Sequence, residues 1–380
     1  MSGETSSRKL EHILMVTTSK VESAESTLLE YVRVIHNPLP ELDLDDVDLS
    51  VEFCGGKRLR APLMITGMTG GHPDVAWINS ELASLAEEYG IAMGVGSQRA
   101  GIEDPRVAES FRAARKAAPG AVIVANLGAP QLSKGYGLRE AREAVDMVEA
   151  DALAIHLNPG QEAFQDEGDP YYRGVIERIA ELVEGLGVPI IVKEVGTGLS
   201  REAVAQLRAV GVRCFDVAGL GGTNWIKVEV LRSKSKHGEP RRPAGPLADY
   251  WGNPTAIAVM EARDAAPDSF IIGSGGVRNG LDVARVIALG ADMGGIALPV
   301  LRSLMSGGRD AARRLVEAII YQVKASTYLA GGRSVYDLWR ARVAVWGRLL
   351  EEASYRGLDV GYYLKVRRLE ALTWRVRDWI

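Results

Sequence analysis

From about residue 61 to residue 330, short apolar runs alternate with longer segments in which apolar residues recur every three or four positions. The short runs predict strands, and the longer segments predict amphipathic helices. A regular alternation of strand and helix is typical of parallel βαβ units. The predicted strands cover residues 62–68, 91–97, 122–128, 152–158, 189–195, 214–220, 270–276 and 293–299.

Eight such strands favour a closed barrel over an open doubly wound sheet. An open sheet usually carries its glycine-rich nucleotide turn after the first strand, whereas glycines here cluster after the first, sixth, seventh and eighth predicted strands. We therefore predict an α/β protein with a (β/α)8 TIM barrel over residues 61–330, an N-terminal extension over 1–60 and a helical C-terminal tail over 331–380. The Trp- and Arg-rich tail is expected to pack on the barrel or on a neighbouring subunit, in a homotetramer or larger homo-oligomer.

Composition narrows the class of protein. The chain has 380 residues, of which 47% are hydrophobic and 25% charged, as in a globular protein with a large core. Its net charge of -4 argues against nucleic-acid binding. The absence of a signal-like or membrane-spanning apolar run predicts a cytoplasmic protein without a membrane partner. The two cysteines, Cys54 and Cys214, lack the spacing of a zinc site or a disulfide framework.

Three glycine-rich turns at strand ends indicate a phosphate site. They are GLGGTN at 219–224, SGGVRNG at 274–280 and GIALPVL at 295–301. Barrel enzymes commonly hold phosphate after the seventh and eighth strands, where Gly275 and Gly276 would let the backbone approach an anion. The Thr223 hydroxyl could reach the same phosphate. One such turn alone is more often a simple strand-to-helix connection, but three at one rim favour the phosphate.

Polar residues at other strand ends suggest a flavin ring beside that phosphate. The first strand ends in MTGG at 68–71, which offers flat backbone and the Thr69 hydroxyl. Asn126 and Lys193 would point into the same mouth. Lys193 interrupts an apolar run, and a buried unpaired ammonium is costly, so we place it beside flavin N1 and O2. The alternative is a structural ion pair with Glu194.

A second polar cluster follows the fourth strand and predicts a metal-bound ligand. His156 and Asn158 face one side of the strand, and Gln161 and Glu162 follow on the loop. One carboxylate such as Glu162 is enough for Mg²⁺, which keeps waters and shares substrate phosphate oxygens. A surface loop with incidental acids is the alternative.

Basic residues complete this second site. Ser97, Gln98 and Arg99 end the second strand, and Arg8 and Lys9 lie in the N-terminal segment. Forked guanidinium groups and a lysine point charge together suit a diphosphate. Taken singly, Arg8 and Lys9 would be a solvated terminus, and His12 could join them. The N-terminal arm is expected to close over its own or a neighbour's site.

These motifs, in this order, resemble the type 2 isopentenyl-diphosphate isomerases over about residues 8–330. The segments that carry the resemblance are RKLEHI, MTGG, GVGSQRA, ANLGA, HLNPGQE, KEVGTG, DVAGLGGTNW and SGGVRNGLDVARVIALGAD. RKLEHI and HLNPGQE are specific to that family, whereas SGG with ALGAD is common to many FMN barrels. Three positions depart from the family pattern: Asp166 stands in place of Pro, Thr197 in place of Asn, and Ala218 in place of Ser. The last puts one flavin hydrogen bond in doubt.

The resemblance implies interconversion of isopentenyl and dimethylallyl diphosphate by a 1,3-proton shift, with reduced FMN, Mg²⁺ and NAD(P)H as reductant. The reduced flavin, near N5, would be the acid–base group, and Gln161 would position or relay. The implied FMN contacts are Met68, Thr69, Gly70, Ser97, Asn126, Lys193, Thr223, Gly275, Gly276, Ala297 and Leu298. The implied diphosphate contacts are Arg8, Lys9, Ser97, Gln98, Arg99, His156, Asn158 and Gln161, with Glu162 on the metal.

Two other functions are weaker fits. An FMN-dependent 2-hydroxy-acid oxidase needs a histidine base and an arginine after the sixth strand, yet that stretch has no histidine before the distant His237. A flavin-binding or assembly protein without activity would have no use for HLNPGQE.

Overall fold

The computed structural model describes residues 2–370 and 372 of the chain, so residues 371 and 373–380 of the predicted tail lie outside the described residues. The strands are β1 (Val32–Val34), β2 (Val51–Glu52), β3 (Arg58–Leu59), β4 (Leu63–Ile65), β5 (Ala92–Gly94), β6 (Val122–Gly128), β7 (Ala152–His156), β8 (Ile190–Lys193), β9 (Cys214–Asp216), β10 (Phe270–Gly273), β11 (Met293–Ile296) and β12 (Val343–Val345).

Strands β4 to β11 form a closed, all-parallel barrel in chain order, with β11 paired to β4. Each of the eight predicted strands is present, and the predicted TIM barrel is confirmed. Their residues are almost all buried, as in β6, because barrel strands are covered by side chains inside and by helices outside. This double burial explains why the strands read as continuous apolar runs.

Helices follow the strands around the outside, and shorter helices lie in the loops. The helices are α1 (Ser2–Thr18), α2 (Ala76–Tyr89), α3 (Arg99–Glu103), α4 (Glu109–Ala117), α5 (Ala129–Ser133), α6 (Leu138–Val148), α7 (Pro159–Phe164), α8 (Val175–Gly185), α9 (Arg201–Ala209), α10 (Trp225–His237), α11 (Leu247–Tyr250), α12 (Thr255–Ala265), α13 (Gly280–Ala288), α14 (Leu298–Leu329), α15 (Asp337–Arg340), α16 (Gly347–Tyr355) and α17 (Val360–Tyr362). Single 3-10 turns span Leu29–Tyr31, Leu44–Asp46, Pro73–Val75 and Pro105–Val107, and a π-helical turn spans Tyr363–Arg367.

Local chemistry sets several helix boundaries. The Asn279 side chain accepts a hydrogen bond from the Asp282 amide (2.9 Å) and so caps the start of α13. The buried residues of α13 include Gly280, Val283, Ala284 and Ile287, which recur at helical spacing on one face, and this face packs on the barrel. Gly308, at φ 68°, interrupts α14 and divides it into two helical segments.

The segments outside the barrel pack against it. The hairpin of β2 and β3 places Phe53 edge-on to Phe270, the first residue of β10, at 5.6 Å between ring centres. In the tail, Trp339 is fully buried and its indole N–H donates to the Ala291 carbonyl (2.8 Å). Strand β12 pairs antiparallel with β1, so the tail contains a strand as well as helices and joins the N-terminal extension.

Helix α1 packs over the carboxyl end of its own barrel, against α3, α10 and α14. Arg302 of α14 fastens the end of α1, since its guanidinium donates to the Val16 carbonyl (3.1 Å) and the Ser19 carbonyl (3.0 Å) and pairs with Glu22 (2.5 Å). Within the described residues, no helix is long and apolar enough to span a membrane.

Candidate active site

A cavity of about 1560 Å³, counting its open mouth, lies between the carboxyl ends of the strands and α1. It brings together most of the residues predicted for the two ligands. On the side of α1 and α7 they are Arg8, Lys9, Ser97, Arg99, His156, Asn158, Gln161 and Glu162; around the floor and opposite wall they are Met68, Asn126, Lys193, Thr223, Gly275, Gly276, Ala297 and Leu298.

The loops after β9 and β10 form an anion cradle of bare backbone. A Cβ on Gly275 would lie 2.1 Å from the Gly219 carbonyl oxygen, and one on Gly222 would lie 2.4 Å from the Gly276 amide nitrogen. Gly275 and Gly276 also hold positive φ values of 96° and 69°. Only glycine permits this approach, and it leaves backbone N–H groups near the amino end of α14, where an anion is favoured.

The N-terminal extension supports this cradle from outside. The Ser23 amide donates to the Gly222 carbonyl (3.1 Å), and the Thr27 backbone packs where a Gly221 side chain would stand. Arg278, which follows the seventh-strand turn, also lines the cavity. It adds positive charge that our reading of the sequence missed, although it sits within the SGGVRNG motif.

Five polar side chains lie on or just after the neighbouring strands β6 to β10. In order they are Asn126, His156, Lys193, Asp216 and Ser274. His156 Nδ1 lies 2.8 Å from Asn126 Oδ1, Lys193 Nζ lies 4.0 Å from Asp216 Oδ2, and the Ser274 hydroxyl donates to Asp216 Oδ1. We name this set the polar arc.

Lys193 is not held by the Glu194 side chain, the alternative left open by the sequence. The Glu194 carboxylate instead accepts hydrogen bonds from the backbone amides of Val195, Gly196 and Gly198 and from the Thr197 hydroxyl (2.6 to 2.9 Å). The Lys193 ammonium donates to the Glu194 carbonyl (2.6 Å) and faces the cavity. Its positive charge is therefore directed at whatever ring lies on the floor.

Burial and charge shift the pKa of two groups of the polar arc. Burial, with the nearby charges of Lys193 and Lys9, lowers the pKa of His156 to about 3, so this imidazole is neutral at pH 7. Burial raises the pKa of the Asp216 carboxyl, while Lys193 and Ser274 act in the opposite direction. The arc thus holds one ammonium, one buried carboxyl group and a neutral histidine.

The mouth of the cavity carries a single predicted metal ligand. Glu162 Oε1 accepts from the Asn158 amide (2.8 Å), and Oε2 accepts from the Asp169 backbone N–H (2.7 Å), which orients the carboxylate. No group of three or more His, Cys, Asp or Glu side chains that could hold a metal occurs in the described part of the chain. A single carboxylate suits a metal ion that keeps several water ligands and also binds oxygens of the substrate, as Mg²⁺ usually does in proteins.

Positive charge faces Glu162 from α1 and α3. Burial, followed by repulsion from Arg8 and Arg99, lowers the pKa of Lys9 to about 8. Arg99 pairs with Glu103 (2.7 Å), and Arg8 makes a long contact with Glu167 (3.5 Å). Arg8, Lys9 and Arg99 thus converge on one cavity, and three cations on one wall favour a ligand with several negative charges.

A buried carboxylate that our reading of the sequence missed organises this half of the site. Glu229 of α10 is fully buried and contacts His12 Nε2 (2.9 Å), Gln161 Nε2 (2.9 Å) and Arg232 Nε (2.7 Å). Burial would raise the pKa of Glu229, but these partners lower it to about 2. The only sequence signal was the i,i+3 spacing of Glu229 and Arg232, which is common on any helix.

The sequence of this chain matches a known family of enzymes. Residues 138–345 match the family model of FMN-dependent dehydrogenases. The chain is 68% identical over 375 residues to the isopentenyl-diphosphate delta-isomerase of Aeropyrum pernix, with 99% of each chain covered. It is 46% identical to that of Methanopyrus kandleri, covering 93% of this chain and 95% of the relative. The chain belongs to the isopentenyl-diphosphate delta-isomerase family. This is the type 2 group, within the FMN-dependent dehydrogenase family.

Solved structures with the same fold belong to more distant proteins. A lactate oxidase from Pediococcus acidilactici aligns with a TM-score of 0.65 at 16% identity, over 91% of this chain and 94% of that one. A mandelate oxidase variant with an FMN adduct aligns with a TM-score of 0.61 at 19% identity, over 88% and 92%. At these identities the likeness establishes the barrel alone.

For this isomerase-family chain, three predicted contacts do not reach the cavity. Gln98 is fully buried behind it, where its amide donates to the Ala144 carbonyl and accepts from the Asn126 N–H (both 2.8 Å), so it positions Asn126. Thr69 and Gly70 lie behind the wall that Met68 forms, and a Cβ on Gly70 would be 2.0 Å from Phe111. Gln98, Thr69 and Gly70 therefore do not line the cavity, and their assignment as ligand contacts stays a prediction from the sequence.

Proposed function

We propose that this isomerase-family protein interconverts isopentenyl and dimethylallyl diphosphate by a 1,3-proton shift, with reduced FMN and Mg²⁺. The observation that carries the proposal is one cavity with two anion-accepting halves. The glycine cradle and Lys193 suit a phosphorylated flavin, while Arg8, Lys9, Arg99 and Glu162 suit a metal-bound diphosphate.

The residues present fit FMN at the floor. Thr223, Gly275, Gly276, Ala297 and Leu298 would hold its phosphate, with Arg278 as a further cation. Met68, Ser97, Asn126 and Lys193 would border the ring. When bound in the reduced form, FMN supplies the acid–base chemistry of the proton shift, and the Lys193 charge favours an anionic reduced ring.

The diphosphate would lie against α1 and α7. Arg8 and Arg99 present planar forks to phosphate oxygens, Lys9 adds a point charge, and Asn158 and neutral His156 add polar contacts without further charge. Glu162 would hold Mg²⁺ as its one carboxylate ligand. Gln161 is oriented by its hydrogen bond to Glu229, so we assign it a positioning role.

The apolar part of the wall suits the hydrocarbon end of the substrate. Ile13, Val16, Trp225 and Leu301 line the cavity between the cradle and α1. Because α1 covers this space, it would keep water away from the alkene and from a developing positive charge. NAD(P)H as reductant, a homotetramer or larger assembly and a cytoplasmic location remain part of this proposal, resting on the sequence.

A 2-hydroxy-acid oxidase is the second candidate, because the solved oxidases share the barrel. Such an enzyme needs a histidine that accepts a proton near pH 7. His156 has a pKa near 3, His12 is bound to Glu229, and His237 lies at the end of α10 on Asp166 (3.1 Å). These environments disfavour the oxidase.

One experiment separates the two candidates. The protein with FMN, Mg²⁺ and a chemical reductant is incubated anaerobically with isopentenyl diphosphate, and in parallel the oxidised holoprotein is incubated with lactate or glycolate under air. We expect dimethylallyl diphosphate in the first arm and no peroxide in the second. Oxidation of the hydroxy acid without isomerisation would overturn the proposal.

A further inference from the structure

Asp216 and Ser274 belong to the polar arc, yet the proposed mechanism gives them no task. Strand pairing aligns Lys193 of β8 with Asp216 of β9, so the two side chains emerge at the same level of the barrel. Lys193 and Ser274 line the cavity, whereas Asp216 is 1% exposed and lies behind them. Asp216 therefore makes no direct contact with a ligand in the cavity.

Both carboxylate oxygens of Asp216 interact with neighbouring side chains. Oδ1 accepts the hydroxyl of Ser274, and Oδ2 faces the Lys193 ammonium at 4.0 Å. The other carboxylate close to Lys193 in sequence, Glu194, is occupied by the loop amides that follow it. Asp216 is thus placed to offset the positive charge that Lys193 directs into the cavity.

We propose that Asp216 is a positioning residue that sets how much positive charge Lys193 presents to the flavin ring, and thereby the preference of the protein for reduced over oxidised FMN. The inference rests on the proposed FMN site. Lys193 and the Ser274 hydroxyl favour an ionised Asp216 against the effect of burial, and that negative charge partly cancels the Lys193 charge. Its removal therefore favours the anionic reduced ring more than the neutral oxidised ring. The carboxylate therefore limits how strongly the reduced cofactor is held.

The test measures the affinity of the apoprotein for oxidised FMN and, under anaerobic conditions, for reduced FMN. Binding is followed by flavin fluorescence and absorbance. The measured quantity is the ratio of the two dissociation constants, oxidised over reduced. In Asp216→Asn we expect this ratio to rise about tenfold, the lower end of the shift that one neighbouring charge produces, because Asp216 lies behind Lys193 and not against the ring. On the two-electron scale that is a rise of about 30 mV in the FMN potential.

Control variants separate charge from structure. Asp216→Glu keeps the charge and should stay within about twofold of the native ratio. Glu261→Gln removes a buried carboxylate that pairs with Arg356 (2.9 Å) outside the barrel, and should leave the ratio unchanged. If Asp216→Asn does not fold, Ser274→Ala removes the hydrogen bond that favours the ionised Asp216, and should move the ratio in the same direction by a smaller factor.

The decisive arm is a double-mutant cycle with Lys193→Met. Without the Lys193 charge, burial should keep the Asp216 carboxyl neutral, so Asp216→Asn then changes no charge and its effect on the ratio should disappear in the Lys193→Met background. An unchanged ratio in Asp216→Asn, or an equal change with and without Lys193, would overturn the inference. Failure of the native protein to bind FMN in either form would instead refute the proposed function.

Discussion

Lys9 gives the sharpest prediction, because its altered ionisation ties ligand affinity to pH. Burial and repulsion from Arg8 and Arg99 lower the pKa of Lys9 to about 8 in the free protein. A bound diphosphate adds negative charge beside the ammonium and must raise that pKa, so binding above pH 8 requires proton uptake. The affinity for a diphosphate should therefore be highest below pH 8 and should fall as the pH rises through 8 toward 10.

The magnitude follows from the fraction of Lys9 that carries its proton. At pH 9 only about one tenth of the free protein is protonated at Lys9, so the affinity should be about tenfold lower, or ~1.4 kcal/mol. Proton uptake on binding should be about half a proton at pH 8 and close to one at pH 9. The neighbouring Tyr136 and Tyr172 do not interfere, because burial raises the pKa of each above 10.

Titration calorimetry of the apoprotein with isopentenyl diphosphate, without divalent cations, measures both quantities when repeated in buffers of different ionisation heat. This ligand suits the test because an alkyl diphosphate is fully ionised above about pH 8 and does not itself titrate in this range. Lys9→Arg should flatten the affinity between pH 8 and 9.5, since arginine stays charged there. Lys324→Arg is the matched control, because Lys324 pairs with Asp45 (3.0 Å) away from the cavity, and it should keep the native slope. A flat native profile, or a slope that persists in Lys9→Arg, would refute the reasoning.

Three further predictions concern other parts of the site. Glu229→Gln should lower the free energy of unfolding by about 3 kcal/mol and the melting temperature by roughly 4 °C, because it removes the fully buried carboxylate partner of the buried Arg232 guanidinium. Glu167→Gln, at a 44% exposed side chain that also pairs with Arg232 (2.6 Å), should cost under about 1 kcal/mol, and equal losses would contradict the argument. Glu162→Gln should raise the Mg²⁺ concentration needed for half-maximal isomerase activity by about tenfold without releasing FMN, whereas coupled loss of flavin colour would mean that the two halves of the site are assigned wrongly. Gly276→Ala should weaken FMN binding by about tenfold or more, measured by flavin fluorescence, because the new Cβ would lie 2.4 Å from Thr27 and 2.6 Å from the Gly221 carbonyl oxygen; pyrophosphate binding serves as its control and should be unchanged.

The sequence could predict the residues that are chemically out of place. Lys193 stands in an apolar strand, and the same signal applies to Asp216, which we did not use. It could not predict the direction of side chains in the turns. Gln98 and Thr69 turn into the protein because the backbone of each loop leaves the regular alternation of its strand, and that path depends on distant packing against Ala144 and Asn79.

The sequence alone determined the barrel, its eight strands and the rim that carries the chemistry. Each barrel strand is buried on both faces and is therefore an apolar run, and short motifs mark the strand ends. Only the tertiary structure decided that α1 covers its own barrel, that β12 pairs with β1, and that Glu229 contacts His12 from 217 positions away. These are long-range contacts, set by which surfaces pack together after the barrel has closed. Local periodicity carries no information about such packing. For this reason the sequence did not predict the contacts of α1 and Glu229 that support the site.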